Sequence, residues 1–124
     1  WLYRVPDLKV YITHSGDYGP YQLGRLAKTN ENLDVKYNKK PLLEYMKNFY
    51  FDVELHEVPM RQALVDIIGA DHVLYGSNFG GSDAVRHDLT HGLKLSDADL
   101  RKIRYENACR LLHIDPAKLG KVGA

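Results

Sequence analysis

Three short apolar runs of the chain share one pattern, in which a β-favouring stretch ends in polar residues. The runs cover residues 8–13, 49–55 and 73–75, and they lead into His14-Ser15-Gly16, His56 and Gly76-Ser77-Asn78. An apolar run that breaks at polar residues and glycine is typical of a buried parallel strand, whose carboxyl end carries polar side chains. The pattern therefore predicts three strands with their polar ends on one shared face. For residues 49–55 we expect a loose alternation, with Asp52 and Glu54 opposite their apolar neighbours.

Helical spacing of apolar residues fills the segments between the predicted strands. Helices are predicted from Pro20 to about residue 29, from Pro41, from Pro59 to a stop at Gly69, and from Ser96 to about residue 113. Proline suits the first turn of a helix, and glycine suits the position after its end. The expected inward residues are Tyr21, Leu23, Leu26 and Ala27 in the first helix; Leu42, Leu43, Tyr45 and Met46 in the second; Met60, Ala63, Leu64, Ile67 and Ile68 in the third; and Leu100, Ile103, Ala108, Leu111 and Leu112 in the last.

The predicted order of elements is β-α-α-β-α-β-loop-α, with residues 80–91 as the loop. Ser96, followed three residues later by Asp99, resembles a capping box for the last helix. Strands that alternate with helices imply a parallel sheet with right-handed crossovers. The sequence therefore predicts an α/β fold.

The composition favours a folded, single-domain protein without a nucleic-acid or membrane partner. The 124 residues fit a single domain, 1–124, and 44% hydrophobic with 27% charged residues is ordinary for a folded chain. The net charge of +1 gives no support for a nucleic-acid partner, and the lysine cluster at 36–40 is expected to be a solvated loop. No apolar run approaches the roughly 20 residues of a membrane span, so no membrane partner is expected.

A cytoplasmic location is expected, because no signal-peptide pattern is seen and the one cysteine, Cys109, excludes an internal disulfide. Cys109 falls among apolar positions at helical spacing and is expected to be a small buried hydrophobe. Residues 1–5 resemble the last turn of a helix and lack an initiator methionine, so we expect further chain before Trp1.

His14, His56 and Asn78 are the residues that could carry chemistry, since each follows a predicted strand. In a parallel sheet they would converge on one edge, where histidine can bind a metal or act as a base near neutral pH. A single histidine at a strand end more often has a structural role, and that alternative stays open. His87 and His91 have a spacing that could bind a transition metal on a helix, although the residues around them predict a loop.

His14-Ser15-Gly16, followed by Pro20 and Gly24-Arg25, is similar to the H-G-G…P…G-R segment of the amidohydrolase-related family, which contains aminocarboxymuconate-semialdehyde decarboxylase. Gly76-Ser77-Asn78-Phe79 resembles its G-[ST]-D-[YW]-P, and Asn107-Ala108 with the two following leucines resembles its K-I…N-A…L-L ending. The similarity extends over about residues 5–115, with the motifs in the family's order.

The resemblance implies a metal-dependent (β/α)₈ barrel, of which this chain would be the last three βα units. A full barrel has about 250 residues. Members of the family hold a divalent ion, often zinc, and act on a small-molecule substrate. By the resemblance, His14 is a catalytic residue beside the metal, His56 and Arg25 are substrate-binding, and Asn78 occupies the position of a metal-binding aspartate.

Two departures from the family pattern shape the functional hypothesis. Nothing in the chain matches the family's first-strand H-x-H or its fifth-strand histidine, and the neutral amide of Asn78 is a poorer metal ligand than a carboxylate. We therefore expect the C-terminal part of a metal-dependent hydrolase or decarboxylase, inactive as an isolated chain. The alternative is a non-catalytic partial barrel. In both cases three strands leave open sheet edges, so self-association into a dimer or larger assembly is expected.

Overall fold

A three-stranded parallel sheet forms the centre of the chain. The structure is a computed structural model that describes residues 2, 4–32 and 39–120. The strands are β1 (Val10–Ile12), β2 (Phe49–Asp52) and β3 (Val73–Leu74), in the order β1-β2-β3. Val10 pairs with Phe49 and Phe51 with Val73, and both pairings are parallel. The predicted α/β fold with parallel strands is confirmed, although each strand is shorter than predicted.

Helices connect and flank the strands in the predicted order. They are α1 (Tyr18–Tyr21), α2 (Leu23–Glu31), α3 (Leu42–Tyr45), α4 (Val58–Ile68), α5 (Asp97–Arg101) and α6 (Asn107–Leu112). A π-helical segment, Lys102–Glu106, joins α5 to α6. Short 3₁₀ turns occupy His14–Gly16, Met46–Asn48, Ala70–His72 and Pro116–Lys118. Ser96 caps α5, since its hydroxyl accepts a hydrogen bond from the Asp99 N–H at 3.1 Å.

The middle strand is covered on both sides, which corrects the expected alternation in this segment. Tyr50, Phe51, Asp52, Val53 and Glu54 are all buried. β2 pairs with a strand on each edge, and the 3₁₀ turns at His14–Gly16 and Ala70–His72 also contact it, so its side chains do not alternate between water and core. The buried core consists of Phe51, Val53, Leu64, Val65, Val73, Leu89 and Ile103.

Several residues predicted to face inward are exposed. On α4 the buried residues are Arg61, Leu64 and Val65, whereas Met60 and Ile67 are 42% and 46% exposed. The buried face of α4 is therefore shifted by one residue from the predicted face. The prediction missed this shift because the buried face includes Arg61, a polar residue that is expected at the surface. Leu26, Leu43 and Leu112 are also exposed, since no described element packs over those faces.

Four further predictions concern Cys109, the 80–91 loop, the lysine cluster and membrane-spanning helices. Cys109 is buried, as expected for a small hydrophobe. No helix or strand is assigned within residues 80–91, so the predicted loop is confirmed. The lysine cluster lies largely outside the described residues, and its described members, Lys39 and Lys40, are exposed. Among the described residues, no helix is long and apolar enough to span a membrane.

Candidate active site

The segments that follow the three strands form a common polar region, which we call the carboxyl edge: residues 13–17, 52–56 and 75–83. His14 lies in the turn after β1, and Asn78 lies four residues past the end of β3. His56 lies four residues past the end of β2, because this strand ends at Asp52. The polar side chains nearest the end of β2 are therefore Asp52 and Glu54, which the sequence prediction had not assigned to the site.

His14 forms an ion pair with Glu54 across the carboxyl edge. Its Nδ1 lies 3.0 Å from Oε2 of Glu54, and the His14 side chain is 55% exposed while that of Glu54 is 6% exposed. When a neutral histidine donates a hydrogen bond to a carboxylate, the donating ring nitrogen carries the hydrogen and the other ring nitrogen is an acceptor. Among the described residues, Nε2 of His14 has no hydrogen-bond partner, so this atom is available for proton transfer.

The environment of the Glu54 carboxyl group raises its pKa. Burial raises the pKa of Glu54 above the ordinary 4.5; His14 opposes this effect, whereas the negative charge of Asp52 adds to it. Asp83 and His56 also act on this pKa, in opposite directions. The pKa of Glu54 thus depends on four other charged or titratable groups of the carboxyl edge.

Asp52 binds the backbone of the turn that carries His14. Its Oδ1 accepts a hydrogen bond from the Ser15 N–H at 2.7 Å, and its Oδ2 accepts from the His14 N–H at 3.2 Å and from the Tyr11 hydroxyl at 2.8 Å. Burial and the bond to Asp52 raise the pKa of the Tyr11 hydroxyl. The Ser15 hydroxyl lies 2.9 Å from the Asp52 carbonyl oxygen and 3.1 Å from that of Glu54. The turn is therefore fixed to β2 through several polar contacts.

The turn itself has an unfavourable backbone conformation. His14, Ser15 and Asp17 have φ angles of 53°, 55° and 45°. A left-handed conformation costs about 1–2 kcal/mol for each residue that has a Cβ. Such a turn persists only where surrounding contacts hold it, and the hydrogen bonds to Asp52 supply those contacts.

Gly76 allows the chain after β3 to pass close to Asp52. A Cβ at position 76 would lie 2.8 Å from the Asp52 Cβ, which is closer than side chains approach. The glycine thus brings the β3 exit against β2 and directs residues 77–83 over the carboxyl edge.

His56 and Asn78 meet at a third residue, Asp83. The Asn78 Nδ2 donates a hydrogen bond to Oδ1 of Asp83 at 2.5 Å, and the His56 Nε2 lies 3.6 Å from Oδ2 of Asp83. The pKa of Asp83 is lowered, first by a hydrogen bond from its own backbone and then by the one from Asn78. Asn78 itself has a left-handed backbone, with φ of 50°. The structure thus brings two of the predicted residues together through a carboxylate that sequence reasoning did not select.

Arg25 lies apart from these contacts. It is an exposed residue of α2, and its carbonyl oxygen accepts a hydrogen bond from the Thr29 hydroxyl. Among the described residues, no hydrogen bond or ion pair joins its guanidinium to His14, Glu54 or Asp83. Its assignment to substrate binding remains a prediction.

The described residues do not by themselves fit a metal ion. Within the described part of the chain, no three His, Cys, Asp or Glu side chains converge closely enough to hold one. His14 and His56 are each paired with a carboxylate, and the Asn78 amide presents its nitrogen, rather than its oxygen, to Asp83.

A cavity of about 720 Å³ lies beside the same loops but away from the His14–Glu54 contact. Its lining includes Tyr75, Ser77, Phe79, Arg86, His87 and Asp88. Because this cavity touches neither His14 nor Glu54, it is not the place where this pair would meet a substrate. His87 lines the cavity, whereas His91 does not. Both lie in the 80–91 loop, so the helical spacing that could have let them share a transition metal is not formed.

One signal in the sequence could have identified the missed carboxylates. Asp52 and Glu54 sit one residue apart at the end of an apolar run that begins with Phe49-Tyr50-Phe51. Acidic residues that continue a buried strand must be paired or hydrogen-bonded, which is itself an indication of a site.

Comparison with known proteins gives a consistent result across the chain. The sequence profile of the amidohydrolase family matches residues 1–114. A 2-amino-3-carboxymuconate-6-semialdehyde decarboxylase of Dictyostelium discoideum is 27% identical over 121 residues, covering 93% of this chain and 34% of the relative. A gamma-resorcylate decarboxylase of Polaromonas sp. is 28% identical over 121 residues, covering 90% and 36%. The chain therefore spans about a third of the length of these relatives.

Solved structures share the fold. A 2,6-dihydroxybenzoate decarboxylase in complex with 2,6-dihydroxybenzoate superposes with a TM-score of 0.76 at 22% identity, covering 91% of this chain and 37% of that one. A dihydroxybenzoic acid decarboxylase from Polaromonas sp., with bound manganese and the inhibitor 2-nitroresorcinol, gives 0.75 at 24% identity, covering 90% and 36%. The three βα units match about a third of these barrels.

Proposed function

Because this chain belongs to the amidohydrolase family, we propose that it is the C-terminal third of a metal-dependent decarboxylase and carries the proton-transfer residues of that enzyme. The substrate class is a small aromatic or unsaturated carboxylic acid, as the names of the two relatives suggest. The observation that carries the proposal is the contact between His14 and Glu54 at the carboxyl edge.

Decarboxylation requires a proton donor at this position. When the bond to the carboxylate carbon breaks and CO₂ leaves, the electron pair stays on the substrate carbon, which must then take up a proton. Protonated His14 can donate that proton from Nε2 while Glu54 holds Nδ1 in place and balances the charge of the ring. His56, which lies on the carboxyl edge, and Arg25, which lies apart from it on α2, are assigned to substrate binding in this proposal.

The metal ion belongs to the complete barrel in this proposal. A divalent ion, zinc or manganese, would be held by ligands outside the described residues, since these do not form a metal cluster. Asn78 stands where the family has an aspartate and would be a weak ligand at most. We therefore expect no turnover from the isolated chain, whichever divalent ion is added.

The proposal is tested by a chimaera. Residues 1–114 replace the matching third of the Polaromonas gamma-resorcylate decarboxylase, with Asn78→Asp, and release of CO₂ from gamma-resorcylate is measured in the presence of manganese. We expect metal-dependent turnover that falls by about 10²–10⁴-fold on His14→Ala, the usual contribution of a general acid or base. The matched control is His91→Ala, an exposed histidine in the 80–91 loop, which should leave the rate unchanged.

Three outcomes would contradict the proposal. A folded, metal-loaded chimaera without activity, or one in which His14→Ala has no effect, would favour a non-catalytic partial barrel. Metal-dependent turnover by the isolated chain would show that it is a complete catalyst.

A further inference from the structure

Asp52 is the buried residue that connects the turn carrying His14 to the end of β2, where Glu54 lies. It is 3% exposed, and both of its carboxylate oxygens are occupied by donors from the β1 side. The proton-transfer step described above uses His14 and Glu54, and it gives Asp52 no part. A buried carboxylate that binds two consecutive N–H groups of a strained turn has a role that packing alone does not explain.

We propose that Asp52 is the positioning residue of the His14–Glu54 pair: it holds the left-handed turn in the backbone conformation that directs Nδ1 of His14 at Glu54 and leaves Nε2 facing the substrate. The proposal rests on the proposed function only in assigning proton transfer to His14. The positioning itself is a property of the folded chain and can be measured without turnover.

Only a carboxylate can satisfy this arrangement. Oδ1 accepts from the Ser15 N–H and, at 3.4 Å, from the Glu54 N–H, while Oδ2 accepts from the His14 N–H and the Tyr11 hydroxyl. A carboxylate is an acceptor at both oxygens, whereas an amide has one oxygen and one NH₂. In Asp52→Asn, whichever way the amide turns, its NH₂ faces a backbone N–H and one end of the turn loses its bond.

The effect must reach His14 through the backbone, since the Asp52 side chain contacts the N–H of His14 and not its ring. The turn leaves β1 after Ile12 and places the imidazole on Glu54 by its left-handed φ of 53°. If the turn relaxes to an ordinary conformation, the Cβ of His14 changes direction and Nδ1 leaves the Glu54 carboxylate. Glu54 is then left buried without its partner.

The experiment measures the ring of His14 by ¹⁵N NMR in the full chain. With the ring neutral, we expect the Nδ1–H form to dominate in the parent chain, and its fraction to fall at least twofold in Asp52→Asn. The matched control is Ser15→Ala, which removes the hydroxyl contacts to the carbonyl oxygens of Asp52 and Glu54 but keeps the Ser15 N–H on Asp52. It should lower the unfolding temperature while leaving the ring form of His14 unchanged.

The result is decisive in both directions. An unchanged ring form in Asp52→Asn, or an equal loss in Ser15→Ala, would overturn the proposal and leave Asp52 with a purely structural role. If Asp52→Asn does not fold, scalar couplings across the hydrogen bonds from the His14 and Ser15 amide nitrogens to the Asp52 carboxyl carbon are measured in the parent chain. Their presence supports the proposal, and their absence overturns it. Neither measurement depends on whether the chain belongs to a decarboxylase.

Discussion

Two nitrogens of the Arg61 guanidinium, Nε and Nη1, lie buried on α4 without a hydrogen-bond partner among the described residues. The residue is 2% exposed, and it is the largest of the fully buried side chains among the described residues. An unsatisfied buried donor costs about 1–3 kcal/mol, and a buried charge without a partner costs more. The core of this chain therefore carries a residue that works against its stability.

Arg61→Met should stabilise the chain, because methionine fills a similar volume without a charge or a donor. We expect the free energy of unfolding to rise by about 1–3 kcal/mol, the cost of the unsatisfied donors. Urea unfolding, followed by circular dichroism, measures it. Arg25→Met, the same change at an exposed position of another helix, is the control and should be close to neutral. A loss of stability on Arg61→Met would show that the guanidinium has a partner that matters.

The raised pKa of Glu54 predicts a pH dependence of a definite sign. The pKa in the folded chain lies above the ordinary 4.5, so the folded chain binds this proton more tightly than the unfolded chain does. The stability that this group contributes is fully present below pH 4.5 and is lost as the pH rises through the folded pKa. Glu54→Gln should remove this dependence, which urea unfolding at a series of pH values between 4 and 8 can follow. Glu57→Gln, at an exposed neighbouring position, should keep the parent slope.

Asn78→Asp should create metal affinity at a place the structure now defines. An aspartate at position 78 would face Asp83 and His56, which already lie together. Without metal the two carboxylates repel each other, so we expect lower stability. With zinc we expect at least tenfold tighter binding than in the parent chain, fading under acid as the ligands take up protons. Calorimetric titration decides it: equal binding by both chains, or a gain that survives His56→Ala, would contradict this geometry.

At the scale of elements, one asparagine joins the last helix to the sheet. The Nδ2 of Asn107 donates hydrogen bonds to the carbonyl oxygens of Ala70 and Val73, both at 2.7 Å, and its Oδ1 accepts one from Arg110 at 3.0 Å. The residue is fully buried. All its polar atoms are satisfied, so it fixes α6 against the entry to β3.

Asn107→Ala should cost about 2–4 kcal/mol, because it leaves two buried carbonyl oxygens unpaired and opens a cavity. Asn48 is a matched control, since its Nδ2 also donates to two carbonyl oxygens, those of Pro6 at 2.7 Å and Leu8 at 2.8 Å, at a more exposed site. Asn48→Ala should cost less than about 1 kcal/mol, because water can replace the amide. An equal loss of stability in the two variants, measured by thermal unfolding, would show that burial does not determine how much these hydrogen bonds stabilise the chain.

The elements were predictable where the local pattern is strong, and less so where tertiary contacts decide. Gly69 and Ser96 mark helix boundaries because their backbone or side chain directly terminates a helix, and both hold in the structure. The buried face of α4 was not predictable, since burying Arg61 contradicts its polarity. The π segment at Lys102–Glu106 shows no sequence signal that we can identify.

The same division applies to the candidate site. His14 could be selected from the sequence, because a histidine after an apolar run and before glycine stands out. Glu54 could be recognised only as an acid in a buried run that needs a partner. Which partner it has could not be predicted, since the pairing joins residues 40 positions apart and depends on where β2 ends. Strand ends are set by the pairing of neighbouring strands, and β2 stops at Asp52, three residues before the end of the apolar run.

At the scale of the whole molecule, the sheet leaves both outer strands open. Within the described residues, β1 and β3 each pair on one side only. Large apolar side chains are exposed near these edges, with Tyr11 at 47% on β1, Tyr75 at 38% just after β3, and Phe79 at 98% beyond it. Unpaired strand edges beside exposed apolar surface favour pairing with another chain or another segment.

We predict that the isolated chain self-associates at micromolar concentration, because association would cover the open edges and the apolar side chains beside them. Phe79→Lys should shift the population towards monomer, since a charge at a 98% exposed position opposes burial in an interface while costing the fold little. Leu112→Lys is the matched control: this side chain is 63% exposed and lies on α6 rather than on a strand or in the segment after one, so its change should leave the assembly intact. Sedimentation equilibrium of the three proteins measures the mass of each species. A stable monomer of 14.2 kDa in the parent chain would refute the prediction. Dissociation by Leu112→Lys alone would place the interface on the helical layer instead of the sheet edge.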